Sequence, residues 1–133
     1  MKLLLDTHIF LWWLRDDGPL SAQQREELER AAASGEPVGL SAISLWEIAK
    51  ATERGRLELR RPIDLLFDEI EADPGLRILP LSPRVALESC RLGPTFHRDP
   101  ADQILAATAR VHGLRLVTSD ERIHRAGVVA TVG

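Results

Sequence analysis

The sequence has little of what disulfide-rich, zinc-binding and membrane proteins need. Its only cysteine, Cys90, excludes an internal disulfide framework and fits a reducing compartment. That cysteine and the four histidines show no zinc-ligand spacing. No apolar run approaches the roughly 20 residues of a membrane helix, and Asp6 and His8 interrupt a start that otherwise resembles a signal peptide. We therefore expect a soluble cytoplasmic protein.

Positive charge is also scarce. The net charge is −3, and lysine occurs only at Lys2 and Lys50. This balance argues against a protein that holds nucleic acid by bulk charge, although it leaves room for a local basic rim. A chain of 133 residues is long enough for one domain with its own core. We therefore expect a single domain over residues 1–133.

Short apolar segments alternate with helical patterns, which predicts an α/β fold with a small parallel sheet covered by helices on both faces. The predicted strands are 3–6, 38–40, 77–79 and 114–118, with a weak last strand at 128–129. The predicted helices are 7–15, 21–33, 41–53, 63–72, 83–92, 100–112 and 121–126.

Four acids occupy positions at which a parallel sheet forms a ligand site. Asp6 and Asp120 end two predicted strands, Asp102 lies in the first turn of the helix 100–112, and Glu47 is the lone acid of an apolar segment. Clustered carboxylates repel one another, and a hard divalent cation with oxygen ligands is the usual remedy. The pattern predicts a metal-dependent enzyme with an acidic pocket.

Each of these acids also has an ordinary structural explanation. Asp6 and Asp120 precede helices as N-caps, and Asp99 and Asp102 hold the N-cap and N3 positions of one helix, close to a capping box. Glu47 can pair with Lys50 on the helix surface, although its apolar neighbours fit that explanation poorly.

Three hydroxyl residues adjoin the strand-end acids, namely Thr7, Thr118 and Ser119. They either cap helices or orient a carboxylate or a metal-bound water.

The clearest basic patch contains Lys50, Arg54 and Arg56, together with Arg60 and Arg61. It either holds phosphates beside the acidic site or is a solvated helix end.

Among the histidines, only His8 is expected near the pocket, and a lone histidine rarely indicates catalysis. Trp12, Trp13 and Trp46 are expected mainly in the core. All three adjoin pocket segments, however, and an aromatic groove there would suit a peptide partner.

The chain resembles the PIN-domain ribonucleases, specifically the VapC toxins of toxin–antitoxin pairs. The resemblance spans nearly the whole chain in four segments that are weak singly and specific together. They are Leu4-Leu5-Asp6-Thr7-His8, Ser44-Leu45-Trp46-Glu47-Ile48, residues 99–109 from Asp99-Pro100-Ala101-Asp102 onward, and Leu116-Val117-Thr118-Ser119-Asp120.

This resemblance implies an α/β/α sandwich and Mg²⁺ or Mn²⁺ held by Asp6, Glu47, Asp102 and Asp120, with Asp99 as an accessory acid. It also implies a homodimer and a VapB-type antitoxin whose C-terminal segment blocks the acidic groove. The implied reaction is hydrolysis of RNA phosphodiester bonds, with tRNA or ribosomal RNA as substrate.

Two other functions remain open from the residues. A non-catalytic binding module would use the acids only as caps and the aromatic segments for a partner. An aspartyl-phosphate phosphatase would use Asp6 as nucleophile, but His8 stands where such enzymes carry a second aspartate.

Overall fold

Helices alternate with short strands along the whole chain. The computed structural model describes residues 1–133 and contains five strands and seven helices. The strands are β1 (Leu3–Leu5), β2 (Val38–Ser41), β3 (Leu76–Leu79), β4 (Arg115–Val117) and β5 (Thr131–Val132). The helices are α1 (Thr7–Arg15), α2 (Ala22–Ser34), α3 (Ala42–Glu53), α4 (Ile63–Ala72), α5 (Pro83–Ser89), α6 (Pro100–His112) and α7 (Glu121–Ala126). None of these helices is long and apolar enough to cross a membrane.

The five strands form one parallel sheet in the order β3-β2-β1-β4-β5. The chain moves outward from β1 through β2 to β3, and then crosses to β4 on the other side of β1. The strand order therefore reverses between β1 and β4, where open parallel sheets form a crevice at the carboxyl ends of the strands. Asp6 directly follows β1, and Asp120 lies three residues beyond β4. The topology thus brings both acids to that crevice.

Side chains of the central strand alternate between two cores. Leu3 and Leu5 pack with residues of α1, α2, α3 and α4, whereas Leu4 packs with residues of α6 and α7. Burial of such a leucine contributes about 1.5–3 kcal/mol. The sheet is therefore covered on both faces, which confirms the predicted α/β/α sandwich.

Element bounds agree closely with the prediction except at two places. The last strand forms at Thr131–Val132, because Val128 and Val129 pack against the core from a loop after Gly127. Helix α5 ends at Ser89 instead of residue 92, since the chain turns there and buries Leu92 from outside the helix.

Candidate active site

Asp6 is held by a hydroxyl from the neighbouring strand end. Thr118 Oγ1 donates to Asp6 Oδ2 at 2.7 Å. Thr118 Oγ1 also accepts a hydrogen bond from the backbone N–H of Asp120 at 3.1 Å. Asp6 occupies the N-cap position of α1, but its carboxylate makes no capping hydrogen bond. The capping explanation is therefore wrong for Asp6, which lines a cleft together with Asp120 instead.

Glu47 is fixed against α1 by a second hydroxyl. Thr7 Oγ1 donates to Glu47 Oε1 at 2.7 Å and lies 2.8 Å from Ser44 Oγ, and both hydroxyl residues are buried. Lys50 pairs with Glu53, at 3.1 Å, and not with Glu47. The explanation of Glu47 as a surface partner of Lys50 is therefore wrong.

Asp102 forms a hydrogen bond with a histidine that the sequence pattern did not indicate. His97 Nε2 lies 2.6 Å from Asp102 Oδ2, and each side chain is 16% exposed. The imidazole stacks on Phe96 at 4.7 Å, and its Nδ1 is buried without a hydrogen-bond partner. The expectation that His8 is the only histidine near the pocket is wrong. The one available signal was that His97 precedes the N-cap Asp99 by two residues, close enough to fold back over the first turn of α6.

Asp120 is tied to another residue that the pattern missed, Arg122. The Asp120 carboxylate accepts the backbone N–H of Arg122 at 2.8 Å and so caps α7. The Arg122 guanidinium then reaches Asp120 Oδ2 at 2.9 Å and Asp102 Oδ2 at 3.6 Å. A positive charge of the chain itself therefore lies between two of the predicted metal ligands.

The two other residues predicted to support the acids, Asp99 and Ser119, form hydrogen bonds elsewhere. Asp99 caps α6 by accepting the backbone N–H groups of Ala101 and Asp102. Ser119 lines the cleft of Asp6, but its hydroxyl accepts from Gln24 Nε2 at 3.0 Å and makes no hydrogen bond to an acid.

Glu47 experiences both burial and like charge. Burial raises the pKa of Glu47, and the charges of Asp102 and Asp6 raise it further, while the hydrogen bond from Thr7 opposes the shift. Glu47 is therefore close enough to Asp6 and Asp102 for their charges to act on it.

Asp102 and Asp120 are affected in opposite directions. Burial raises the pKa of Asp102, against the hydrogen bond to His97, and the charges of Asp99 and Asp6 add to the rise. The hydrogen bond from Arg122 lowers the pKa of Asp120. Burial thus dominates at Glu47 and Asp102, whereas the contact with Arg122 dominates at Asp120.

The donor set is suited to a hard cation. His97, Asp102 and Asp120 each place one ligand atom within 4.8 Å of the other two, and no further group of three in the chain does so. Carboxylate oxygens are the ligands that Mg²⁺ and Mn²⁺ prefer. Asp6 and Glu47 are coupled to this group by charge but stand outside it. The residues present therefore fit a divalent cation, although the four acids do not by themselves form one tight set.

Cationic residues border the site on one side. Lys50, Arg54 and Arg56 line a groove that also contains Glu47. Arg61, in contrast, is absent from this groove and forms an ion pair on α4.

The tryptophans divide between core and surface. Trp12 and Trp13 are partly buried and pack against the core, as expected. Trp46 is 53% exposed and lines the groove beside Glu47, so the expectation of a core position is wrong for it.

Comparisons with known proteins agree with this architecture. The model of the PIN domain family matches residues 3–129. Ribonuclease VapC22 of Mycobacterium tuberculosis is 33% identical over 121 residues, which cover 91% of this chain and 88% of that protein. The crystal structure of FitAcB from Neisseria gonorrhoeae has a TM-score of 0.66 at 27% identity and covers 98% of this chain and 96% of that chain. VapBC2 from Rickettsia felis, bound to a promoter DNA fragment, has a TM-score of 0.71 at 17% identity over 98% of this chain and 97% of that chain, a likeness of fold alone.

Proposed function

This chain belongs to the PIN-domain family as a VapC-type member, and on that premise we propose that it is an endoribonuclease toxin that hydrolyses RNA phosphodiester bonds at the acidic crevice. The observation that carries the proposal is the meeting of coupled acids at the switch point of the sheet. The 33% identity with a ribonuclease over 91% of the chain supports the same activity.

We propose Mg²⁺ or Mn²⁺ as the cofactor, with Asp6, Glu47, Asp102 and Asp120 as its ligands. The raised pKa of Glu47 and of Asp102 supports this assignment, because both carboxyls are buried beside other negative charges, which a bound cation would offset. Such a cation supplies Lewis-acid polarisation of the scissile phosphate and of the attacking water. His97 is a further candidate ligand or a group that orients Asp102.

The chain's own residues would hold the reacting groups in place. Thr118 orients Asp6 and Thr7 orients Glu47, each through a hydrogen bond of 2.7 Å. Glu47, with its raised pKa, is suited to accept a proton from the attacking water.

Asp99 and Ser119 lie near the acids without a hydrogen bond to the carboxylate of any of the four proposed ligands. Asp99 contributes negative charge near Asp102 and caps the helix that carries it. Ser119 lines the cleft of Asp6. We propose that both support the four acids indirectly.

A VapB-type antitoxin is the partner we infer, with a C-terminal segment that covers the acidic crevice. Similarity to FitAcB, and to FitAB bound to a DNA fragment at 26% identity, supports a partner of this class. A homodimer and a tRNA or ribosomal RNA substrate stay predictions from the family resemblance.

The test is cleavage of total cellular RNA by the purified, antitoxin-free protein with Mg²⁺, with Mn²⁺ and with EDTA. We expect discrete fragments that require the cation and disappear in Asp6→Asn and Asp102→Asn. Asp68→Asn is the matched control, because Asp68 is exposed on α4 outside the site. Fragments that survive in EDTA or in Asp6→Asn would contradict the proposal, and folded protein that cleaves nothing would favour a binding module.

A further inference from the structure

A groove between α1 and α3 leads away from the acidic crevice. It has a volume of about 460 Å³, within the range of about 300–1,000 Å³ that holds small ligands. Glu47 lies in its wall, and His8 and Trp12 line both this groove and the cleft of Asp6 and Asp120, so the groove adjoins the proposed site of hydrolysis. Trp12 of α1 lines the opposite wall, close to the His8 ring at 6.1 Å between centroids.

One wall of the groove is a stripe of residues along α3. Trp46, Lys50 and Arg54 are spaced by four residues, which places them on one face of the helix. The stripe extends for about 12 Å, at 1.5 Å per residue. It begins beside Glu47 and ends at the C-terminus of the helix. An exposed aromatic ring and two cations therefore follow one another outward from the acid.

The charges of the groove suit a polyanion. Four cationic side chains line it, and Glu47 is its only carboxylate. Lys50 pairs with Glu53, but Arg54 and Arg56 have no ion pair or hydrogen bond from their side chains. Both remain available for phosphate groups.

We propose that this groove binds one unpaired RNA strand next to the scissile phosphate, with a base stacked on Trp46 and flanking phosphates on Arg54 and Arg56. The inference rests on the proposed ribonuclease function and adds the residues of this chain that hold the substrate strand beside the acids. Exposed aromatic rings beside cations are the combination by which proteins bind single strands without reading their sequence. Trp46 is 53% exposed, an unusual position for tryptophan unless a ligand covers it.

The test measures binding of fluorescein-labelled RNA by anisotropy with the wild-type chain in EDTA, so that no cleavage interferes. The probes are oligo-U, oligo-A and an RNA duplex, each about 12 nucleotides long, within the site sizes of such proteins. We expect both single strands to bind more tightly than the duplex. Trp46→Ala should weaken single-strand binding about 5- to 150-fold, the loss expected for one base–aromatic stack. Trp46→Phe should retain most of the affinity.

Two further measurements separate stacking and charge from general effects. Leu87→Ala is the matched control, because Leu87 is a large apolar side chain with 52% exposure on α5, outside the groove. The double variant Arg54→Ala/Arg56→Ala should reduce the slope of log K against log salt by about 1.4, the value for two phosphate contacts on a single strand.

Equal binding by Trp46→Ala and Leu87→Ala, or equal affinity for duplex and single strands, would overturn the proposal. A Trp46→Ala variant that loses an antitoxin peptide while keeping RNA would assign the groove to the protein partner and overturn it as well. If Trp46-dependent binding is found but cation-dependent cleavage is not, the ribonuclease function falls and the subsite stands. Cation-dependent cleavage without Trp46-dependent binding would overturn the subsite and leave the ribonuclease function standing.

Discussion

The hydroxyl of Thr118 joins the two strand-end acids, and its removal tests the geometry of the crevice. Thr118 is fully buried, donates to Asp6 at 2.7 Å and accepts from the backbone of Asp120 at 3.1 Å. Thr118→Val keeps the side-chain shape and leaves no cavity. The variant loses a hydrogen bond to a charged group, which is worth about 1.5–3 kcal/mol.

We therefore expect Thr118→Val to lower the free energy of unfolding by about 2 kcal/mol. For a domain of this size, that loss lowers the melting temperature by about 6–10 °C. The assay is thermal and urea unfolding at pH 7 in EDTA, so that bound cation does not mask the change. Because the same hydroxyl orients Asp6, the affinity for Mn²⁺, measured by calorimetry, should also fall.

Thr108→Val is the matched control. Thr108 is equally buried, but its hydroxyl donates only to the backbone carbonyl of Ile104 on its own helix, at 2.7 Å. That carbonyl keeps its helical partner after the substitution, so we expect a loss of about 0.5 kcal/mol or less. Equal destabilisation by the two variants, or an unchanged Mn²⁺ affinity in Thr118→Val, would refute the role of Thr118.

Two further predictions concern charge and backbone. The pKa of Glu47 in the folded protein is raised above its ordinary 4.5. Protonated Glu47 therefore contributes stability at low pH, and this contribution is lost as the pH rises through the pKa of the folded state. In EDTA, Glu47→Gln should therefore be more stable than wild type at pH 7, with the difference vanishing near pH 4. Asp120→Asn should show the opposite sign, less stable at pH 7 and equal to wild type only well below 3.8, because the pKa of Asp120 is lowered. If both variants shift the melting temperature in the same direction, the electrostatic argument is wrong. Gly18→Ala should cost about 2–4 kcal/mol in urea unfolding, since φ is +91° and the added Cβ would lie 2.5 Å from Trp12, whereas Gly55→Ala, at +70° in open space, should cost about 1 kcal/mol. Equal losses of stability in Gly18→Ala and Gly55→Ala would show that Trp12 moves aside for the added Cβ and would contradict the steric argument.

Local signals were sufficient where neighbouring residues alone decide the structure. Asp99-Pro100 and Gly113 bound α6 because a capping side chain, a fixed proline φ and a left-handed glycine act within a few residues of each other. Consecutive valines at 128–129 carried no such signal. Whether they formed a strand depended on pairing with β4, which is a tertiary matter.

The candidate site was predictable only in part. The positions of Asp6 and Asp120 follow from strand ends, and those of Glu47 and Asp102 from their places on predicted helices; the family resemblance then grouped the four as metal ligands. His97 was not predictable, because its contact with Asp102 depends on how a loop folds back over a helix.

The sequence by itself determined the parallel α/β architecture and the acids at its strand ends, since hydrophobic periodicity and capping are local properties of the chain. Only the tertiary structure decided which groups neutralise and orient those acids. Thr7, Thr118 and Arg122 act across elements that meet in space, over distances of 2.7–3.6 Å. It also decided that Trp46 faces outward, because the exposure of one helix face depends on what the remaining chain leaves uncovered.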